Sequence, residues 1–134
     1  FKIIEDASHA AGSIYEGSRI GNCKYSDICV FSFHPVKIIT TGEGGAILTN
    51  SKKIFDKVSV LRSHGILRKS KKNFFLKSYD VKYLGFNYRM NEIEATLGIS
   101  QLSRINEFVK IRNKIEHHGP GEPYDNFRIV VSSF

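Results

Sequence analysis

Three polar residues follow apolar, strand-like runs in the first part of this sequence. Asp6 comes after an apolar pair at residues 3–4, Ser32 closes the run that begins at Ile28, and Lys37 lies in the glycine-rich turn that follows. Ligands of open α/β sheets gather outside the ends of strands. An acid, a hydroxyl and a lysine at that place could hold a cofactor with a basic ring nitrogen, a phosphate and an aldehyde. Pyridoxal phosphate (PLP) has all three groups.

Taken by themselves, these residue types leave PLP as one option among several. An aspartate at a strand end is more often a cap, and a serine there is more often a turn residue. A lysine in a turn is usually only solvated. The chemistry therefore depends on whether the surrounding sequence carries a more specific pattern.

The elements that would position these residues alternate between strands and helices, which predicts an α/β fold. A buried first strand is expected at residues 2–5, and Ser8 to Gly12 could open either a helix or a loop. Further β-structure is expected as a short hairpin at 13–20 and as strands at 28–33 and 45–49.

Two helices are predicted from their caps and apolar spacing. Ser51 caps a helix that runs to about residue 63. Asn91 caps a second one, with Glu94 as the third residue of a capping box. The second helix extends to about residue 115, and we expect it to bend near Ser103.

The net charge of +7 raises nucleic acid as a partner. Part of the excess lies in a basic segment, residues 66–83, in which aromatic side chains are interleaved. A solvated loop is the more common meaning of such a charge run, and cations facing a phosphorylated small molecule are a third reading. We therefore expect a loop at 66–83 and no nucleic-acid partner.

The lengths of the apolar runs and the two cysteines narrow the class of protein further. No apolar run approaches the ~20 residues that span a bilayer, so no membrane partner is expected. Cys23 and Cys29 have no second pair and no nearby histidine at zinc-ligand spacing. They are interpreted as ordinary thiols in a reducing compartment, which predicts a cytoplasmic location and no metal site.

Four motifs occur in a fixed order and carry a resemblance. They are EDASHA at 5–10, SFHPVKIITTGEGG at 32–45, RSHG at 62–65 and GFNYRMNEIEA at 85–95. Together they resemble the DegT/DnrJ/EryC1/StrS family of sugar aminotransferases. The resemblance implies fold type I of the PLP enzymes, with residues 1–116 forming part of the large PLP-binding domain, a mostly parallel sheet flanked by helices. Residues 117–134 depart from the family pattern and are expected to be an atypical tail or the start of a lost small domain.

The resemblance implies a role for each matched residue. Lys37 corresponds to the lysine that holds the cofactor aldehyde as a Schiff base and shuttles a proton. Asp6 corresponds to the acid that pairs with the pyridine nitrogen, His9 to the contact of the ring hydroxyl, and Ser32 to a phosphate ligand. Asn87 corresponds to the residue that reaches the cofactor phosphate of the neighbouring subunit, which implies a homodimer with shared active sites.

Other motif residues are less well defined by the resemblance. Arg89 could bind a nucleotide phosphate through its guanidinium fork. His34 and His64 receive no role. The family also uses a phosphate-binding turn and a ring-stacking aromatic residue that precede the matched region, together with a C-terminal small domain. We therefore expect this chain to be a piece of a longer enzyme and to be inactive alone.

The implied reaction transfers an amino group from an amino acid, expected to be glutamate, to a 4-keto-6-deoxy sugar nucleotide, expected to be UDP-linked. Within the family the motifs resemble in particular the transaminases of pseudaminic acid biosynthesis. Two alternatives stay open. One is a PLP-dependent sugar dehydratase of the same family, although such relatives carry histidine where Lys37 stands. The other is an inactive fragment or binding remnant.

Overall fold

The computed structural model describes residues 1–68 and 79–116 of the chain. These residues fall into two compact units. The first unit combines Phe1–Asn50 with the chain from Asn91 onward, and the second is Ser51–Met90. The predicted tail at 117–134 lies outside the described residues.

The first unit is built on a three-stranded sheet and a short hairpin. Its strands are β1 (Ile4–Asp6), β2 (Ile14–Tyr15), β3 (Ser18–Arg19), β4 (Ile28–Ser32) and β5 (Gly45–Leu48). The sheet has the order β1-β4-β5, with β1 parallel and β5 antiparallel to β4. Strands β2 and β3 form the predicted hairpin. Between Asp6 and that hairpin the chain forms turns, so the loop alternative at 8–12 is the observed one.

The first strand differs from its prediction in bounds and burial. It begins at Ile4 rather than at residue 2, and Ile4 is 56% exposed. The hydrogen bonds of Ile3, the residue before the strand, explain its later start. The N–H of Ile3 donates to the Asp27 carboxylate, and its carbonyl accepts from the N–H groups of Asp27 and Ile28, so a side chain takes its N–H and the regular pairing with β4 begins only at Ile4. An edge strand of three residues then leaves one face open.

The core of this unit lies on the other face of the sheet. Cys29 is fully buried there, and Ala7 and Ala10 pack against it. Their small side chains let the loop after β1 lie close to the sheet. Burial raises the pKa of the Cys29 thiol to about 12, so it stays protonated. Cys23 is half-buried, and both cysteines are free thiols.

The predicted helices are confirmed. Helix α1 is Lys52–Leu61, α2 is Glu92–Ser103 and α3 is Ile105–Glu116. The Asn91 side chain accepts from the Glu94 N–H at 2.9 Å, and the Glu94 carboxylate accepts from the Asn91 N–H at 3.1 Å, which completes the capping box. The expected bend is the break between α2 and α3 at Arg104. No helix within the described ranges has the length and apolar character needed to cross a bilayer.

The second unit corrects the prediction that residues 66–83 are all loop. Strands β6 (Ile66–Arg68) and β7 (Tyr79–Val81) pair antiparallel, with Ile66 opposite Val81. Branched and aromatic residues at both ends of the basic segment favour this pairing. The middle of the basic segment, with most of its cations and Phe74 and Phe75, lies outside the described residues.

Candidate active site

Asp6 and Ser32 lie at the same end of two parallel strands. Asp6 is the last residue of β1 and is opposite Val30 of β4, while Ser32 ends β4 two residues further on. Successive side chains of a strand alternate between the two faces. Asp6, Val30 and Ser32 therefore share the open face of the sheet.

The turn that carries Lys37 is fastened at its base. The Phe33 N–H donates to the Gly44 carbonyl at 2.9 Å, and the Phe33 carbonyl accepts from the Thr41 N–H at 3.0 Å. Gly44 has φ +133°, a conformation that a residue with a side chain rarely adopts. Because β4 and β5 are antiparallel neighbours, this turn holds Lys37 beyond the strand ends.

Lys37 reaches across to the loop that follows β1. Its Nζ lies 2.6 Å from Nε2 of His9. A hydrogen bond between these two nitrogens needs one donor and one acceptor, and the tautomer of His9 decides which nitrogen donates. Sequence analysis assigned His9 to a cofactor hydroxyl; the structure places it beside the Lys37 amine.

Ser8 holds the Asp6 carboxylate. Asp6 Oδ1 accepts from the Ser8 hydroxyl at 2.6 Å and from the Ser8 N–H at 3.1 Å. These hydrogen bonds are the main cause that lowers the pKa of Asp6 below 3.8, and the charges of Lys37 and His9 lower it further. The carboxylate is therefore ionised at neutral pH. Sequence analysis missed Ser8, although an aspartate two residues before a serine is a known turn signal.

Ser32 and His34 shape the start of the lysine turn. The Ser32 hydroxyl oxygen accepts from the His34 N–H at 3.4 Å. His34 Nδ1 accepts from the Val36 N–H at 3.4 Å, and the His34 carbonyl accepts from the Lys37 N–H at 2.9 Å. The structure thus gives His34 a turn-forming role that the motif left undefined. The Ser32 hydroxyl hydrogen can still donate to a ligand oxygen.

A residue of α3 also reaches the lysine turn. Arg112 Nη2 donates to the Lys37 carbonyl oxygen at 3.2 Å. No local sequence signal points to this contact, because 75 positions separate the two residues and an exposed helical arginine ordinarily faces solvent.

Asn87 and Arg89 belong to the second unit. The backbone at Asn87 forms an isolated antiparallel bridge with Ser63, just after α1. His64 sits in the left-handed region at φ +61°, and its N–H donates to the Phe86 carbonyl. His64 therefore helps to form the loop that carries Asn87, a role its motif did not reveal. The parts of Asn87 and Arg89 in a site stay predictions.

The side chains of the first unit fit the chemistry of PLP. Lys37 offers an amine for an aldehyde, and Asp6 offers an ionised carboxylate for a protonated ring nitrogen. His9 offers an imidazole nitrogen for a ring hydroxyl, and Ser32 offers a hydroxyl for a phosphate. All four lie on the loops and strand ends at one edge of one sheet.

Known proteins are similar to this chain in both sequence and fold. Residues 1–118 match the DegT/DnrJ/EryC1/StrS aminotransferase family. Over 113 residues the chain is 44% identical to the UDP-4-amino-4,6-dideoxy-N-acetyl-beta-L-altrosamine transaminase of Campylobacter jejuni. That match covers 84% of this chain and 28% of the Campylobacter protein.

Solved structures of aminotransferases are also similar to this chain. An aminotransferase of Helicobacter pylori involved in the biosynthesis of pseudoaminic acid matches with a TM-score of 0.78 and 38% identity, over 92% of this chain and 33% of that one. A sugar aminotransferase of Streptococcus pneumoniae in its PMP form matches with a TM-score of 0.79 and 29% identity, over 87% and 31%. The chain thus spans a third or less of the length of these relatives.

Proposed function

The chain belongs to the DegT/DnrJ/EryC1/StrS aminotransferase family, and from this membership we propose that it is part of a PLP-dependent sugar aminotransferase. The reaction transfers an amino group from glutamate to a 4-keto-6-deoxy sugar nucleotide. One observation carries the proposal: the Lys37 amine meets the His9 imidazole at 2.6 Å, at the sheet edge where Asp6 and Ser32 lie. A fully solvated turn lysine would extend into water, whereas Lys37 is half-buried and directed at His9.

PLP is the proposed cofactor, and four residues would hold it. Lys37 would bind its aldehyde carbon, Asp6 its ring nitrogen, His9 its hydroxyl and Ser32 its phosphate. Similarity to an aminotransferase solved in its PMP form, the amine-bearing form of PLP, supports this choice. Bound PLP supplies an electron sink for breaking the C–H bond beside an amino group.

Lys37 handles protons in this proposal, and His9 orients its amine. An amine can act as a base only when it is neutral, and His9 Nε2 lies within hydrogen-bonding distance of the Lys37 amine, at 2.6 Å, so it can orient that amine. Lys37 can then take a proton from the donor's reacting carbon and return one to the acceptor. His9 thus holds the amine in one orientation while Lys37 carries the proton.

Asp6 supplies fixed negative charge. The two hydrogen bonds from Ser8 orient its carboxylate and keep it ionised through their effect on its pKa. Both bonds use Oδ1, so Oδ2 can accept from a protonated ring nitrogen. A carboxylate held in this way favours the protonated, electron-withdrawing state of a pyridine ring.

The proposed substrate is supported by the name of a relative, and the proposed assembly by the resemblance of the motif at 85–95. The name of the Campylobacter enzyme supports a UDP-linked sugar as the acceptor. In the proposed homodimer, Asn87 reaches the cofactor phosphate of the neighbouring subunit and Arg89 binds a nucleotide phosphate. The two free cysteines fit the proposed cytoplasmic location.

The proposed division of the chain assigns residues 1–116 to the large domain and 117–134 to a tail or to the start of a small domain. The relatives are about three times as long. We therefore propose that the 134 residues alone form an incomplete site and do not sustain turnover.

The test uses the protein encoded by the complete reading frame, supplied with PLP, nitrogen-15 glutamate and a UDP-linked 4-keto-6-deoxy sugar. Mass spectrometry should find the label in the sugar and an equal amount of 2-oxoglutarate. Lys37→Ala should abolish the transfer, whereas Lys52→Ala, which removes an exposed lysine of α1, should not. A sugar that loses a hydroxyl without gaining nitrogen would indicate the dehydratase, and no product would indicate a binding remnant.

A further inference from the structure

Helix α3 fixes the backbone of the residue whose side chain is proposed to react. The Arg112 guanidinium donates through Nη2 to the Lys37 carbonyl at 3.2 Å. The hydrogen bonds at Phe33 hold the base of the lysine turn, whereas Arg112 holds it at Lys37 itself. The proposed function gives this arginine no task.

The same helix packs against the loop that carries His9. At Gly12, three residues after His9, an added Cβ would lie 2.9 Å from Val109 Cγ2 and 3.1 Å from Ile105 Cγ1. Gly12 also has φ +83°, which favours glycine. The backbone of this loop therefore lies directly on α3, and one helix contacts both loops that supply the Lys37–His9 pair.

The residue after Lys37 also faces α3. Ile38 lines a shallow cleft together with residues of α2 and α3, including Phe108, Ile111 and Arg112. The lysine turn thus lies beside α3, and the Arg112 hydrogen bond connects the two. The guanidinium fixes the Lys37 carbonyl in distance and direction through this hydrogen bond.

We propose that Arg112 is a positioning residue that sets the reach of the Lys37 amine toward His9 and toward an incoming aldehyde. This inference rests on the proposed function only in taking Lys37 as the reactive lysine. Without the hydrogen bond the turn stays closed at its base, but the Lys37 backbone can shift away from α3. Small misplacements of a reacting group are costly in rate.

The test measures how fast PLP becomes fixed to individual lysines in the protein encoded by the complete reading frame. Borohydride is added at timed intervals, and peptide mapping gives the labelling rates of Lys37 and of Lys52, an internal reference on α1. We expect Arg112→Ala to slow labelling of Lys37 about tenfold, the effect of losing one charge-assisted hydrogen bond at an exposed site. Labelling of Lys52 and the thermal midpoint should not change.

Two further variants separate positioning from general damage. Arg112→Lys keeps a charged donor and should restore most of the Lys37 rate. Lys110→Ala removes an exposed cation from the same helix and should leave the rate unchanged. Should Arg112→Ala unfold, Arg112→Gln replaces it, with the same slowing expected.

The outcomes are distinct. Wild-type labelling of Lys37 in the folded Arg112 variant would overturn the inference and leave the proposed function intact. Equal slowing at Lys37 and Lys52, or a lowered thermal midpoint without rescue by Arg112→Lys, would also overturn it. If wild-type protein labels Lys37 no faster than Lys52, the proposed function itself fails.

Discussion

Replacing Asp6 with asparagine removes charge from the candidate site while preserving its local hydrogen bonds. The side-chain carbonyl of asparagine can accept both bonds that Asp6 Oδ1 accepts from Ser8. Asp6 is also exposed, so its neutral replacement buries no unpaired group. We therefore expect the free energy of unfolding at neutral pH to change by less than about 1 kcal/mol.

The effect on PLP affinity should be larger, because in the proposed site the negative charge of Asp6 binds the protonated ring nitrogen. A hydrogen bond with a charged partner contributes about 1.5–3 kcal/mol, and exposure of the Asp6 carboxylate favours the lower end of that range. A loss of about 1.5 kcal/mol corresponds to roughly tenfold weaker PLP binding. Turnover should fall by at least about 100-fold, because charge stabilisation in the reacting state is lost as well.

The assay titrates PLP by its absorbance into wild type and Asp6→Asn and compares the midpoints of denaturant unfolding. Asp56→Asn is the matched control, since Asp56 is an exposed carboxylate of α1 that pairs with Lys52. This control should leave both PLP affinity and turnover unchanged. Near-normal turnover in folded Asp6→Asn would refute the reasoning and make Asp6 only the acceptor of a turn.

Two further variants test the local geometry. Ser8→Ala removes the main cause of the lowered Asp6 pKa. A carboxylate with a lowered folded-state pKa stabilises the fold above its ordinary value of 3.8 and loses that effect as pH falls through the lowered value. The variant should therefore be less stable than wild type at pH 7, and the difference should shrink as pH falls through the lowered pKa of Asp6; a difference in stability that stays constant in acid would contradict this cause. Gly45→Ala places a Cβ 2.5 Å from the Phe31 carbonyl oxygen, so we expect a loss of about 1–3 kcal/mol in denaturant unfolding, and an unchanged midpoint would disprove the clash.

Elements governed by local signals were predictable from the sequence. The Asn91 and Glu94 capping box and the cap at Ser51 depend on residues within one helical turn. The hairpin of β2 and β3 depends on a glycine at its turn, Gly17, which has φ +72°. In each case the stabilising groups are neighbours in the chain, so spacing alone carries the information.

Features set by distant partners were not predictable in the same way. Ile4 is apolar and was expected to be buried, but its exposure depends on which elements cover that face of the sheet. The pairing of β6 with β7 joins the two ends of a charged segment whose composition indicated a loop.

The candidate site likewise has features that the sequence predicted and contacts that depend on distant parts of the chain. The motifs predicted a site of Asp6, His9, Ser32 and Lys37, and these residues lie on the strand ends and loops of one sheet edge. The contact of His9 with the amine depends on where two separate loops lie. The contact of Arg112 depends on a helix much further along the chain.

The identity of the reactive lysine tests the account most directly. The protein encoded by the complete reading frame is incubated with PLP, reduced with borohydride and digested, and the peptide that carries the pyridoxyl group is sequenced by mass spectrometry. We predict that the group lies on Lys37 and that Lys37→Ala abolishes both the label and turnover. A label on another lysine, or full turnover by Lys37→Ala, would contradict the account.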